Sequence, residues 1–217
     1  MKICTLFLAV VAAALPMAAD CKPAVNSKGM INTRGTVEMA ENVCPMTVAE
    51  KGTLFLRTSV SPFNFVAAAG TAGIWQATQD RTQGFGQGWE AYGSRFGAAL
   101  ADRESSDFFK TFVLSSMLRM DPRYFRKGTG TTGSRLGYAI SRVIVGRTDK
   151  GHATFNAPEI LGNVGSAGLS NLYYPESDRT ASRTMETAAL NIAADAGWNV
   201  LKEFGPEIRR VFGGHKH

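Results

Sequence analysis

The chain has 217 residues, a formal net charge of +6 and only 19% charged side chains, with 23 glycines. That length suffices for one domain with a substantial core. The charged share lies below the usual ~25%, so the chain suits either helices that approach one another closely or a protein lying against lipid.

Lys2, the uncharged apolar run Ile3 to Leu15, and Met17-Ala18-Ala19 ahead of Asp20 have the parts of a secretory signal over residues 1–19. The run is too short to span a bilayer. Asp20 immediately before Cys21 argues against a lipoprotein. The mature chain is therefore expected in the periplasm or cell envelope, away from cytosolic nucleotides, and no nucleotide, nucleic acid or cofactor is expected as a partner.

Cys4 leaves with the signal, and Cys21 and Cys44 remain. In an oxidising compartment the pair predicts a disulfide, worth ~3 kcal/mol in the chain-entropy account. It would tether an irregular arm over residues 20–55, which carries the turn signals Asn26-Ser27-Lys28-Gly29 and Asn32-Thr33-Arg34-Gly35.

A helical domain is predicted over residues 56–212. Residues 58–79 hold no charge, and Ser61-Pro62 marks a helix start. The helix over 63–79 fits a buried element with its Gly/Ala stripe against a neighbour, or a membrane span, and both stay open. A second helix is predicted near 87–104, with Gly93, Gly97 and Ala101 laying a flat stripe for close packing. A third, 106–120, is apolar on most sides and ends at Asp121-Pro122. The fourth is the most amphipathic, with Leu136, Ala139, Ile140, Val143 and Ile144 on one face, Ser134 as cap and Gly146 as stop. The fifth runs 158–173, and the sixth 182–204 to the Gly205-Pro206 break, before a short basic helix over 207–212. Residues 213–217 form a flexible tail. The fold class is all-α, a five- to six-helix Gly/Ala-rich bundle behind an irregular arm.

Few motifs carry chemistry. Gly128-Thr129-Gly130-Thr131-Thr132-Gly133 has dinucleotide-loop spacing but no preceding strand, so it reads as an interhelical loop. His152, the one histidine outside the tail, has Asp149 and Glu159 nearby, the candidate trio for acid–base catalysis in an envelope hydrolase acting on lipid or phosphoester substrates. One histidine supplies too few ligands for zinc, and no metal is expected. Asn163, Asn171, Asn191, Asp195 and Asn199 lie within apolar helical stretches, where buried amides and acids bond between helices.

Charge is segregated. Between Arg119 and Lys150 stand eight bases against Asp121 and Asp149, so this stretch carries the whole net charge of the chain. Six are arginines, which fork onto phosphates and carboxylates. Arg123, Arg126, Arg135, Arg142 and Arg147, with Tyr124, Phe125 and Tyr138 among them, are the candidate anion-binding residues.

The blocks Asp121-Pro122-Arg123-Tyr124-Phe125-Arg126, Arg135-Leu136-Gly137-Tyr138-Ala139, Arg147-Thr148-Asp149-Lys150-Gly151 and Asn171-Leu172-Tyr173-Tyr174-Pro175 resemble a pattern shared by an uncharacterised family of exported bacterial proteins. The resemblance covers roughly residues 55–210. It implies a common helical fold around the blocks and transfers no activity, cofactor or catalytic residue. Together these readings predict an exported, membrane-associated envelope protein with a structural or binding role, whose partner is an anionic lipid or another anionic envelope component. The envelope hydrolase is the alternative.

Overall fold

A computed structural model describes residues 35–38, 43–78 and 83–212. Residues 1–19, Cys21 and the 213–217 tail lie outside the described residues, as does the predicted Cys21–Cys44 pairing. The fold is all-α. Its helices are α1 (Val48–Ser59), α2 (Pro62–Thr78), α3 (Trp89–Asp107), a π-helical segment (Phe108–Leu114), α4 (Ser115–Met117), α5 (Thr132–Ser141), α6 (Ala157–Ser170) and α7 (Ala181–Phe212). Two small sheets accompany them: β1 (Thr36–Glu38) pairs in parallel with β2 (Tyr124–Arg126), and β3 (Val145–Arg147) forms a hairpin with β4 (Ala153–Phe155).

The arm is not irregular as far as residue 55, because α1 begins at Val48. Its start is a reciprocal cap: the Glu50 N–H donates to Thr47 Oγ1 at 3.2 Å, and the Thr47 N–H donates to Glu50 Oε2 at 2.7 Å. Gly52 sits inside this helix because a Cβ there would come within 3.3 Å of the Phe112 ring.

The predicted helices 87–104 and 106–120 join into one rod. At Phe108–Leu114 the helix widens to a π-segment instead of breaking. There the Ser115 hydroxyl donates to the Lys110 carbonyl at 2.6 Å. Gly93 and Gly97 do not take a close neighbour; like Gly70 and Gly73 on α2, they have open space where a Cβ would sit. The small residues that are buried on these helices are alanines, Ala68 and Ala72 on α2 with Ala91, Ala98 and Ala99 on α3.

Other boundaries also moved. Thr131, not Ser134, caps α5, and the helix stops at Ser141. Gly146 lies in β3, pressed against Met120, where a Cβ would be 2.5 Å from Met120 Cε. Finally, α7 runs straight through Gly205-Pro206. Arg135 splints the proline: it donates to the Glu203 carbonyl at 2.7 Å and to Glu207 Oε1 at 2.8 Å, on either side of the residue that lacks an N–H.

In space α2 packs on α3, α3 on α6, α6 on α7 and α7 on α5, while α1 covers the π-segment. Polarity is reversed in part of the interior, beside a buried apolar set that includes Leu54, Met120, Tyr124 and Phe125. The largest fully buried side chains are Arg95, Lys51, Glu203, Asn163, Ser115 and Ser166, every one polar. On α6 the inward stripe is Pro158, Gly162, Asn163, Ser166, Ala167 and Ser170, and the outward one is Leu161, Val164, Gly165, Gly168 and Leu169. The predicted apolar face splits: on α5 Ala139 turns in while Leu136 and Ile140 face out, and beyond its end Val143 is buried and Ile144 exposed. Among the described residues no helix is long and apolar enough to cross a membrane.

Candidate functional site: a charged interior groove

The sequence blocks first explain how polar side chains come to be buried. Asp102 on α3 accepts from the Tyr173 hydroxyl at 2.5 Å and the Tyr174 hydroxyl at 2.7 Å. Burial pushes the Asp102 carboxyl above its ordinary range, and the two tyrosines oppose that. Asp149 pairs with buried Lys51 at 2.9 Å, and Lys51 also donates to the Ser115 carbonyl at 3.1 Å. Glu203 on α7 receives Tyr124, Arg135 and the N–H groups of Lys127 and Gly128. Tyr138 donates to the Phe125 carbonyl at 2.7 Å. Each block thus ties elements distant in sequence together through a hydrogen-bonded charge or phenol, as buried polar groups require.

Between α1 and α2 on one side and α7 on the other lies a groove of about 1340 Å³, floored by the π-segment and closed at one end by β2, Arg142 and β3. Lys110 stands on the floor. Its ammonium is 2.6 Å from Asp195 Oδ2, 3.7 Å from Asp107 and 3.9 Å from Glu159. Asn163 holds both remaining acids, donating to Glu159 Oε1 and Asp195 Oδ2 at 3.1 Å each, and accepts from Ser106 at 2.7 Å. Gly162 makes the approach possible, since a Cβ there would lie 2.5 Å from Lys110 Cγ.

The two carboxyls are driven apart. Burial pushes Glu159 up to about 8, against the pull of the Lys110 ammonium and with a further push from Asp195. Burial would raise Asp195 too, but the Lys110 charge and the surrounding hydrogen bonds hold it at about 2. Burial would lower Lys110 as it does Lys202, yet the facing acids raise Lys110 above the ordinary lysine value.

The predicted arginines turn inward. Arg123 is buried, bridging Asp121 and the Cys44 carbonyl. Arg135 is buried against Glu203 and Glu207, with its guanidinium 4.4 Å from the Phe204 ring. Arg123, Arg126, Arg142 and Arg147 line the closed end of the groove. Arg142 lies over Tyr138 at 5.0 Å and Arg147 over Phe125 at 4.1 Å. The set is therefore an internal lining, with Arg135 beneath it as a structural member.

The acid–base trio is not brought together. His152 is exposed in the β3–β4 turn, where its backbone bonds to Thr148. The Asp149 carboxylate is occupied by Lys51, and Glu159 belongs to the Lys110 cluster. The cluster's basic member, Lys110, was missed because it stands in a phenylalanine-rich helix; Asp195 and Asn163 were noticed only as buried polar groups. The π-segment that presents Lys110 has no sequence signature. Compared with protein-family models, curated proteins and solved structures, the chain matches none.

Proposed function

We propose that the protein is an exported, membrane-associated component of the cell envelope with a structural or binding role, its partner an anionic lipid or another anionic envelope component. Export rests on residues 1–19 and the disulfide on Cys21 and Cys44. The observation that carries the membrane reading is the reversed polarity. Leu161 on the outward stripe of α6 is 54% exposed, and Phe65, Val66 and Ile74 on α2 are exposed with it. Apolar faces of that extent mark contact surfaces in soluble proteins. Lipid is favoured over an aqueous partner surface because α2 has no charge and the outward stripe of α6 has no polar side chain.

Fractionation of the native host tests this. The mature protein should be found with membranes, resist a salt wash and be released by carbonate or detergent. Its mass should lack residues 1–19 and rise by two hydrogens on reduction. Leu161→Asp with Leu169→Asp should shift it to the soluble pool with little change in melting. An unprocessed cytosolic protein would refute export. If the double variant instead dissolves an oligomer of the purified chain, the apolar face binds a second copy and the membrane reading fails.

A second reading, the envelope hydrolase acting on lipid or phosphoester substrates, is favoured by the divergent carboxyls Glu159 and Asp195 in an open groove. Such a split supplies one acid and one base at the same pH. Any hydrolysis by the purified protein should then vanish in Asp195→Asn and persist in His152→Ala.

A further inference from the structure

We infer that the arginine-lined end of the groove is a binding site for a phosphate monoester group. Among the described residues, four guanidinium groups, Arg123, Arg126, Arg142 and Arg147, have two carboxylates, Asp121 and Glu38, within ion-pair distance, which leaves Arg142 and Arg147 as a pair without an acid partner there. Arg123 is the built element. It is 5% exposed; Nε and Nη2 are engaged by Asp121 and the Cys44 carbonyl, while Nη1 is buried with no hydrogen-bond partner. Nε of Arg126 and Nε of Arg142 are buried in the same state, Arg126 Nε standing 3.4 Å from Glu38, beyond normal hydrogen-bond length. Unpaired charged donors in a partly dry site are costly, and a bound oxyanion toward which these side chains turn would remove that cost.

The geometry is held in advance. Arg123 and Arg147 both lie against the Phe125 ring, at 5.7 and 4.1 Å from its centre, and Arg142 lies against Tyr138. Stacked guanidinium planes keep their forks oriented for bidentate contact with tetrahedral oxyanions. A phosphate monoester carries about −1.5 to −2 charges near neutrality, which matches the uncompensated pair; a carboxylate would leave one charge over. Farther along, the groove passes Phe63, stacked on Trp198 at 4.4 Å, and Leu201. The ester's organic part would lie there. Its source is either a lipid head or a soluble phosphate ester. The site concerns the groove and not the outward helix faces, so it stands or falls separately from membrane attachment.

Titration calorimetry of the full mature chain tests it with phenyl phosphate, monododecyl phosphate below its micellar concentration, and dodecyl maltoside. Both phosphates should bind one per chain, and the maltoside should not. Tighter binding of the dodecyl ester by about tenfold or more supports the site with a lipid head as its source; equal binding supports it with a soluble ester. Arg142→Gln with Arg147→Gln removes two guanidiniums that stack on rings instead of pairing with acids. It should weaken both phosphates by about tenfold or more with the melting transition retained. If the pair lowers melting, either single variant is read in its place. Parent-like affinity in these variants, or equal binding of the maltoside, overturns the site.

Discussion

Arg135 touches two glutamates that differ in burial and in how many donors they hold, and the contrast predicts two very different mutants. Glu203 is 0% exposed, whereas the Glu207 side chain is 41% exposed. Glu203 Oε1 accepts from Gly128 N and Arg135 Nε at 2.9 Å each, and Oε2 from Lys127 N at 2.9 Å and the Tyr124 hydroxyl at 3.0 Å. In Glu203→Ala four donors, one of them charged, lose their acceptor where water cannot replace it. Removing one partner of a buried pair costs ~3–5 kcal/mol. Glu207→Ala breaks one contact of similar length, 2.8 Å, to a carboxylate that is 41% exposed, and leaves Arg135 paired with Glu203, so its cost should stay near the ~0–1 kcal/mol of exposed pairs. At ~2–4 °C per kcal/mol for a chain of this size, thermal melting followed by circular dichroism should fall by ~6–20 °C for Glu203→Ala and by less than ~4 °C for Glu207→Ala. Glu203→Gln keeps one acceptor oxygen but points an amide at donors, and should fall between the two, which retains a readable transition if the alanine variant does not fold. Equal losses at the two positions would refute the argument from burial.

Gly162→Ala should destabilise by ~1–3 kcal/mol through overpacking, since its Cβ meets not only Lys110 Cγ but the Lys110 backbone nitrogen at 3.2 Å. Gly165→Ala, one turn on with open space around it, should be neutral or stabilise by up to ~1 kcal/mol, and equilibrium denaturation compares the two. The Glu159 carboxyl, raised by burial to about 8, holds a proton that the unfolded chain releases near ~4.3. Stability should therefore fall as pH rises from about 4.3 to about 8. Asp195, held at about 2, acts the other way, its contribution being lost only as pH falls below ~3.9. Melting in a pH series should show a smaller decline across this range in Glu159→Gln than in the parent, the remainder coming from Asp102, which burial also raises; an equal decline in the two proteins assigns it elsewhere.

Local chemistry was legible wherever a boundary depends on residues close in sequence. Ser61-Pro62 opens α2 and Asp121-Pro122 follows the end of the long rod, because proline's missing N–H and fixed φ act on their immediate neighbours. The cap at Thr47 and Glu50 is just as local, but the turn residues at 26–29 and 32–35 make the whole arm read as irregular. By contrast, α7 crosses Gly205-Pro206 where Arg135, seventy residues away in the chain, bonds to Glu203 and Glu207 on both sides of the proline. The π-segment likewise depends on what packs on it: Phe112 meets Gly52, and Lys110 meets Gly162.

By itself the sequence determined that the chain is helical, where most helices begin, that its positive charge is gathered between Arg119 and Lys150, and that polar residues interrupt its apolar stretches. Periodicity separates two faces of a helix but does not say which one turns inward. On α6 the polar and glycine face is the inner one, because Asp102, Ser106, Lys110 and Asp195 are there to meet it. From sequence alone the arginines read as an anion-binding set for an outside partner, because their own partners Glu38, Glu203 and Glu207 lie far away in sequence. Only the tertiary structure brought those carboxylates to them, and in doing so it turned a run of positive charge into the wall of a groove.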